Sequence, residues 1–279
     1  MHEGNTTIDR MPLDGRDIAV VIPALNEALR IRGVVESALA ECANVIVIDD
    51  GSDDDTVAQI ADLPIVLLRH RSRQGKGASL RDGFAEALRR GFKGVVTMDG
   101  DGQHLASDIP RLIDAANRYP DHIVIGARLR KRAQQPRYRR LANGFGDWGI
   151  AWGTGYRIAD TQSGQRLYPA RVAALADVPG EDFVFEAQIL ISAAQQLGTR
   201  CVSVPIESRY QCADSSETFR ASHFKPWRDF SRITSHIVMQ CLRRGDLLAV
   251  HRSIRANPPV IHDNGEESMH AEAEVQRAG

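Results

Sequence analysis

Val95-Val-Thr-Met-Asp-Gly-Asp-Gly-Gln-His104 carries a short apolar run straight into two carboxylates one residue apart. That pattern places Asp99 and Asp101 at the C-terminal edge of a strand, the edge at which open α/β sheets bind ligands. On a strand the two side chains share a face. In the tight turn that Gly100 favours they still converge on one hard divalent cation, which in turn can hold a diphosphate. A strand ending in Asp-Gly is also an ordinary turn signal, so the reading depends on the sequence around it.

Upstream stands a second acidic strand end, Asn44-Val-Ile-Val-Ile-Asp-Asp-Gly-Ser52, followed by Asp53-Asp-Asp55. Ser52 or Asp53 suits the N-cap of a helix, so part of this cluster is structural. Asp49 and Asp50, on the strand side of Gly51, are not explained by capping. Working outward, apolar runs at 18–22, 45–48, 65–68, 95–98 and 123–125 alternate with helical patterns at 26–42, 53–62, 76–91 and 107–118. This alternation specifies a mostly parallel sheet covered by helices. Further on, 134–153 and 183–197 read as helices, 165–168 and 201–206 as strands, and 212–222 as a polar, mobile loop. In 226–248, Phe230, Ile233, Ile237, Cys241 and Leu248 recur near helical spacing among arginines, the pattern of an amphipathic basic helix. Segments 1–15 and 255–279 lack periodicity and are expected to be disordered tails. That leaves one domain at 16–211 and a loop with a helix at 212–254.

The 279 residues carry a formal charge of −1, which argues against a nucleic-acid partner bound through overall basicity. Charge is nevertheless uneven: Arg128, Arg130, Lys131, Arg132, Arg137, Arg139 and Arg140 form one basic segment, either a solvated face or a contact for an anionic surface. Cys42, Cys201, Cys212 and Cys241 show neither metal spacing nor a disulfide framework. No signal-peptide pattern is present, and no run approaches the ~18 apolar residues of a bilayer span. The expectation is a cytoplasmic protein whose membrane contact, if it has one, is peripheral on the inner face.

Five motifs follow one another: Val21-Ile-Pro-Ala-Leu-Asn-Glu27, Val47-Ile-Asp-Asp-Gly-Ser52, Gln74-Gly-Lys-Gly77, Met98-Asp-Gly-Asp-Gly-Gln-His104 and Asp160-Thr-Gln-Ser-Gly164. In this order they resemble family 2 glycosyltransferases of the GT-A fold, in the dolichyl-phosphate mannosyltransferase-like branch. The resemblance spans about residues 18–210. It implies an α/β nucleotide-diphospho-sugar transferase fold, a nucleoside diphosphate sugar as donor, and Mg²⁺ or Mn²⁺ as cofactor. Pro23, Asn26 and Glu27 would line the base and ribose pocket, although Asn26 alone is also a plausible helix cap. Asp50, helped by Asp49, would accept a hydrogen bond from the base. Lys76, at a helix start, would serve the phosphates. Asp99 and Asp101 match the family's Asp-x-Asp element, Gln103 would be a further oxygen ligand, and His104 is read as structural. Arg128 is either a phosphate partner or a surface charge.

Family 2 enzymes invert the anomeric centre in one displacement, so a hydroxyl acceptor needs a general base whereas a lipid phosphate needs none. Asp160, Asp182 and Glu186 are the candidate bases, alongside Asp101 as a catalytic carboxylate. Where the family commonly carries an acid, this chain has Gln188, which fits a phosphate acceptor such as a polyprenyl phosphate, moves the base role to Glu186 or Asp182, or weakens the enzyme. Transfer to a hydroxyl of a lipid or metabolite, or a non-catalytic nucleotide-binding scaffold, are the alternatives. A nicotinamide-binding module is disfavoured because Gly-x-Gly-x-x-Gly is absent after the first strand. An aspartyl phosphoryl-transfer enzyme would carry its aspartates on the first strand, and a calcium loop would need a later Glu. These motifs do not encode the sugar or the oligomeric state.

Overall fold

The computed structural model describes residues 12–129, 137–179, 183–207 and 247–263. The apolar runs form β1 (Ile18–Ala24), β2 (Val45–Asp49), β3 (Val66–Arg69), β4 (Gly94–Thr97), β5 (Ile123–Ala127), β6 (Arg166–Pro169), β7 (Cys201–Pro205) and β8 (Val260–Ile261). Among the described residues they make one sheet in the order β3-β2-β1-β4-β6-β5-β7-β8. Neighbours are parallel except at β6, which runs antiparallel to both β4 and β5.

The helices are α1 (Ile31–Glu41), α2 (Lys76–Arg89), α3 (Ile109–Arg118), α4 (Arg137–Thr154), α5 (Ala170–Ala173), α6 (Phe183–Leu197) and α7 (Leu247–Ala256). Strands β2, β5 and β7 are buried at every position, as expected of strands covered on both faces. Alternation along β1 divides the core. Val20 and Ile22 face Ile31 and Val35 of α1 and Ile109 and Leu112 of α3, while Ala19 and Val21 face Leu80 and Phe84 of α2 and Leu190 of α6. The Phe84 ring lies 5.2 Å from that of Tyr168 and 6.3 Å from that of Phe185, and the Arg81 guanidinium sits 4.6 Å above Phe185. This aromatic cluster fixes α2 against α6. Lys76 and Glu186, near the starts of those helices, are thereby brought to one place.

Three local expectations change. The first helix starts at Ile31 rather than 26, because Asn26 has a φ of 56° and 27–30 form a turn closed by the Arg30 N–H on the Glu27 carbonyl. The stretch 53–62 is turns with a single 3₁₀ turn at Ala58–Ile60. There the Asp54 carboxylate takes the Thr56 backbone N–H and its hydroxyl, a local bond that competes with helix formation. At the chain ends, residues read as tails are held in place. Leu13 exchanges two hydrogen bonds with Asn117, and 255–263 finish α7 and add β8 to the β7 edge, where His262 N donates to the Ser203 carbonyl at 2.8 Å. The basic helix at 226–248 lies outside the described residues except for its last two positions, which begin α7.

Strand order reverses between β1 and β4. Crossovers leave β1 toward β2 on one side, while β4 joins it on the other. The C-terminal ends of β2, β1 and β4 therefore open side by side on a crevice, the place where doubly wound sheets hold ligands. Asp49-Asp50-Gly51, Ala24-Leu-Asn-Glu27 and Met98-Asp-Gly-Asp101 all lie along it.

Candidate active site

The loops after β1 and β2 are sewn together. Asn26 donates its backbone N–H to Ser52 Oγ at 2.9 Å and accepts the Asp53 N–H on Oδ1 at 3.0 Å, and Glu27 N donates to Thr56 Oγ1 at 2.8 Å. Asn26 is thus a loop clamp; the N-cap position of α1 belongs to Arg30. Pro23 lies on β1, its carbonyl facing the Gly100 backbone of the acidic turn, and Glu27 remains half-buried beside Arg30.

The two carboxylates after β2 look inward. Asp49 is fully buried, with Oδ1 accepting the Ser52 N–H and Oδ2 the Arg69 Nε–H, so it is withdrawn from any ligand surface. Asp50 is 4% exposed. It accepts the backbone N–H groups of Gln74 and Gly75, both at 2.8 Å, and faces His70 Nδ1 at 2.7 Å. Three of about four carboxylate acceptor sites are filled this way, so Asp50 anchors the 74–75 turn instead of offering an open acceptor to a base. Gly51 is required for this closeness: its φ is 78°, and a Cβ there would lie 2.8 Å from the Ser72 carbonyl carbon.

The anchored turn delivers Lys76. Its Nζ stands 2.7 Å from Asp99 Oδ1 and 3.3 Å from Glu186 Oε2, joining α2, the β4 turn and α6. Burial opposes charging of Lys76, but the two carboxylates outweigh it and raise its pKa. Burial likewise works against ionising Asp99, yet the Lys76 charge beside it holds it well below the usual carboxylate range. Asp101 is pushed the other way, up, by burial and by the negative charge of Asp99. Its oxygens accept the Gln103 N–H at 3.0 Å and the Gln103 amide at 2.8 Å, so Gln103 orients Asp101 rather than presenting an oxygen beside it. His104 accepts the Asp99 backbone N–H on Nδ1 and is kept neutral by burial, in keeping with a structural role.

Beyond β5, Arg128 grips Asp160 through Nε and Nη2 at 2.8 and 2.7 Å, and its backbone N–H adds a third bond. Burial favours neutral Asp160, but Arg128 lowers its pKa below the ordinary value. Gln188 is buried and donates to Ser192 within its own helix. Asp182 lies outside the described residues.

Among the described residues no three acidic, histidine or cysteine side chains form a ready cation cage. The donor chemistry nonetheless fits a hard divalent ion. Asp99 and Asp101 are close enough for one charge to perturb the other, and all ligands offered are oxygens, which leaves room for phosphate oxygens to complete the shell.

Several supporting residues carry no signal in the sequence. His70 bridges Asp50 and Asp82 at 2.7 and 2.8 Å. Arg166, wholly buried, donates to the carbonyls of Thr161, Ser163 and Glu186, tying the 160–164 loop to α6. Asp147 of α4 accepts the Thr161 N–H at 2.9 Å. Gly164 presses on Asp99: a Cβ there would stand 2.6 Å from Oδ2. Of these only Gly164 sits in one of the five motifs; His70 and Asp147 bond across more than ten residues of chain, and Arg166 joins the neighbouring loop to Glu186, twenty residues on.

A family model described as Glycosyl transferase family 2 matches residues 19–176. A polyprenol monophosphomannose synthase of Mycolicibacterium smegmatis is 32% identical over 205 residues, covering 67% of this chain and 75% of that protein. An undecaprenyl-phosphate mannosyltransferase of Micrococcus luteus is 31% identical over 203 residues, covering 68% and 82%. In three dimensions the chain is similar to glucosyl-3-phosphoglycerate synthase of Mycobacterium tuberculosis, crystallised with Mn²⁺, UDP and phosphoglyceric acid. The TM-score is 0.56 at 20% identity, with 81% and 78% of the two chains covered. That likeness establishes the shared GT-A fold.

Proposed function

The chain belongs to glycosyl transferase family 2, and from that premise we propose that it transfers a sugar from a nucleoside diphosphate sugar to an anionic, polyprenyl-phosphate-type acceptor with inversion at the anomeric carbon. The observation carrying this reading is the convergence of the β1, β2 and β4 ends at the sheet's reversal point, where Asp99 and Asp101 sit in mutual repulsion. Those two carboxylates would hold Mg²⁺ or Mn²⁺, and a bound ion would supply charge neutralisation to the departing diphosphate. The start of α2 and Lys76 would meet the phosphates. Mn²⁺ and UDP accompany the glucosyl-3-phosphoglycerate synthase, which supports this choice of donor and cofactor.

The state of the described candidate bases supports this acceptor class. Asp160 is locked to Arg128 and Glu186 to Lys76, so each described candidate is neutralised by a cation. A phosphate oxygen needs no base: it attacks the anomeric carbon as the opposite C–O bond to the diphosphate breaks, and no proton moves. The acceptors named for the two mannosyl-transferring relatives support this. Without a membrane-spanning helix among the described residues, access to such a lipid would be peripheral.

Assays with UDP- and GDP-sugars compare polyprenyl phosphate with the matching free polyprenol, in wild type and Asp101→Ala. Transfer to the phosphate alone, dependent on Mn²⁺ and reduced more than ~100-fold in the variant, is the expected outcome. Equal transfer to the free alcohol would remove the anionic-acceptor reading, and activity within a few-fold in the variant would remove the metal assignment.

A further inference from the structure

The Lys76 ammonium occupies the position on Asp99 that a cation would need. Asp99 Oδ2 is turned toward the Gly164 backbone, where even a methyl group would stand at 2.6 Å, and toward His104 at 3.8 Å. Oδ1 is the less crowded oxygen, and Lys76 Nζ sits on it at 2.7 Å. A second tether to Glu186 at 3.3 Å keeps the ammonium in the crevice when its contact with Asp99 is broken. The side chain is 24% exposed, and its flexible four-carbon stem can swing about a fixed root at the start of α2. An ammonium and a divalent cation on one carboxylate oxygen repel each other. A diphosphate alters the balance by offering Lys76 a stronger anion and the cation further oxygens.

We propose that Lys76 is a built-in counter-ion that caps Asp99 in the nucleotide-free protein and is drawn off by the donor diphosphate, so that cation and nucleotide bind as a coupled pair. The inference rests on the donor and metal reading above and adds an order of events to it. Lys76 thereby keeps the Asp99 and Glu186 carboxylates neutralised while no ligand is bound, and it suppresses cation binding that no donor accompanies.

Mn²⁺ binding to the full chain, read from the electron paramagnetic resonance of the free ion, tests this in wild type, Lys76→Met and Lys76→Gln, each alone and with UDP or GDP. Wild type is expected to bind Mn²⁺ at least ~10-fold more tightly with its nucleotide than without, whereas the Met variant binds Mn²⁺ alone at least ~10-fold more tightly than wild type and shows weaker coupling. If the Met variant fails to give a folded circular-dichroism spectrum, the Gln variant, which keeps a polar tip, decides the matter. Folded variants that bind Mn²⁺ alone no more tightly than wild type overturn the counter-ion role and leave the donor reading intact. Wild type that binds neither nucleotide in the presence of Mn²⁺ overturns both.

Discussion

Asp99 is touched by three segments that lie far apart in sequence: Lys76 at the head of α2, His104 five residues on, and Gly164 in the loop before β6. Its place at a strand end beside a second acid was legible from the sequence because a strand ending in two closely spaced acids is a local pattern. The different fates of Asp49 and Asp50 were not legible. Both are carboxylates within two residues of Gly51, and their inward orientation is set by Arg69, His70 and the 74–75 turn, none of which the local pattern specifies. The Gly164 contact gives a steric prediction. Gly164 is not among the residues with positive φ, so Gly164→Ala meets no backbone penalty, yet its new methyl collides with Asp99 Oδ2. Displacing that carboxylate is expected to weaken Mn²⁺-dependent nucleotide binding by at least ~10-fold, about 1.4 kcal/mol, while the far-ultraviolet spectrum is unchanged. Calorimetric titration measures it, and an unaltered affinity would show that Asp99 is not held where the metal assignment needs it.

At the scale of elements, β2, β3 and α2 are joined by one imidazole. His70 follows β3, faces Asp50 beyond β2 through Nδ1, and faces Asp82 on α2 through Nε2. Burial alone would lower its pKa, but the two carboxylates overcome it and raise the pKa above the ordinary 6.5. With both ring nitrogens directed at carboxylates, the charged form is the one the fold prefers. A group raised in this way contributes its full stabilisation below the unfolded value and loses it as pH climbs through the folded value. Replacing His70 by Gln is therefore expected to cost about 2 kcal/mol at about pH 6 and distinctly less at about pH 9. Thermal melts of both proteins across that range check it. A constant difference would mean that His70 is neutral in the folded protein and holds the turn by hydrogen bonding alone. Strands β1 to β7 and the longer helices were readable from periodicity, whereas this junction was not, since a single His in a polar stretch carries no periodic signal.

Over the whole molecule, the α/β class and mostly parallel sheet follow from the alternation of apolar runs and helical patterns, yet the far edge of the sheet escaped the reading. Val260-Ile261 is only two residues long, follows two prolines, and is half-buried, so neither hydrophobic run nor alternation announces it. Its place comes from the rest of the fold: α7 brings the chain back past α4, with Ser253 Oγ donating to the Gly155 carbonyl, and β8 then covers the open ladder of β7. The imidazole of His262 adds an edge contact to Tyr119 at 5.5 Å between ring centres. The crevice proposed to bind donor lies between β1 and β4, several strands away. Removing residues 257–279 should therefore separate stability from donor recognition. An uncovered parallel strand edge invites pairing with other chains, and losing ~1–2 kcal/mol of edge packing would lower the melting temperature by about 4 °C in a domain of this size. Light scattering should then report concentration-dependent association, while nucleotide affinity stays within about twofold because no donor residue has moved. A truncated protein that melts with the full chain would show that β7 needs no cover, and one that loses nucleotide binding would show that the two ends of the sheet are coupled.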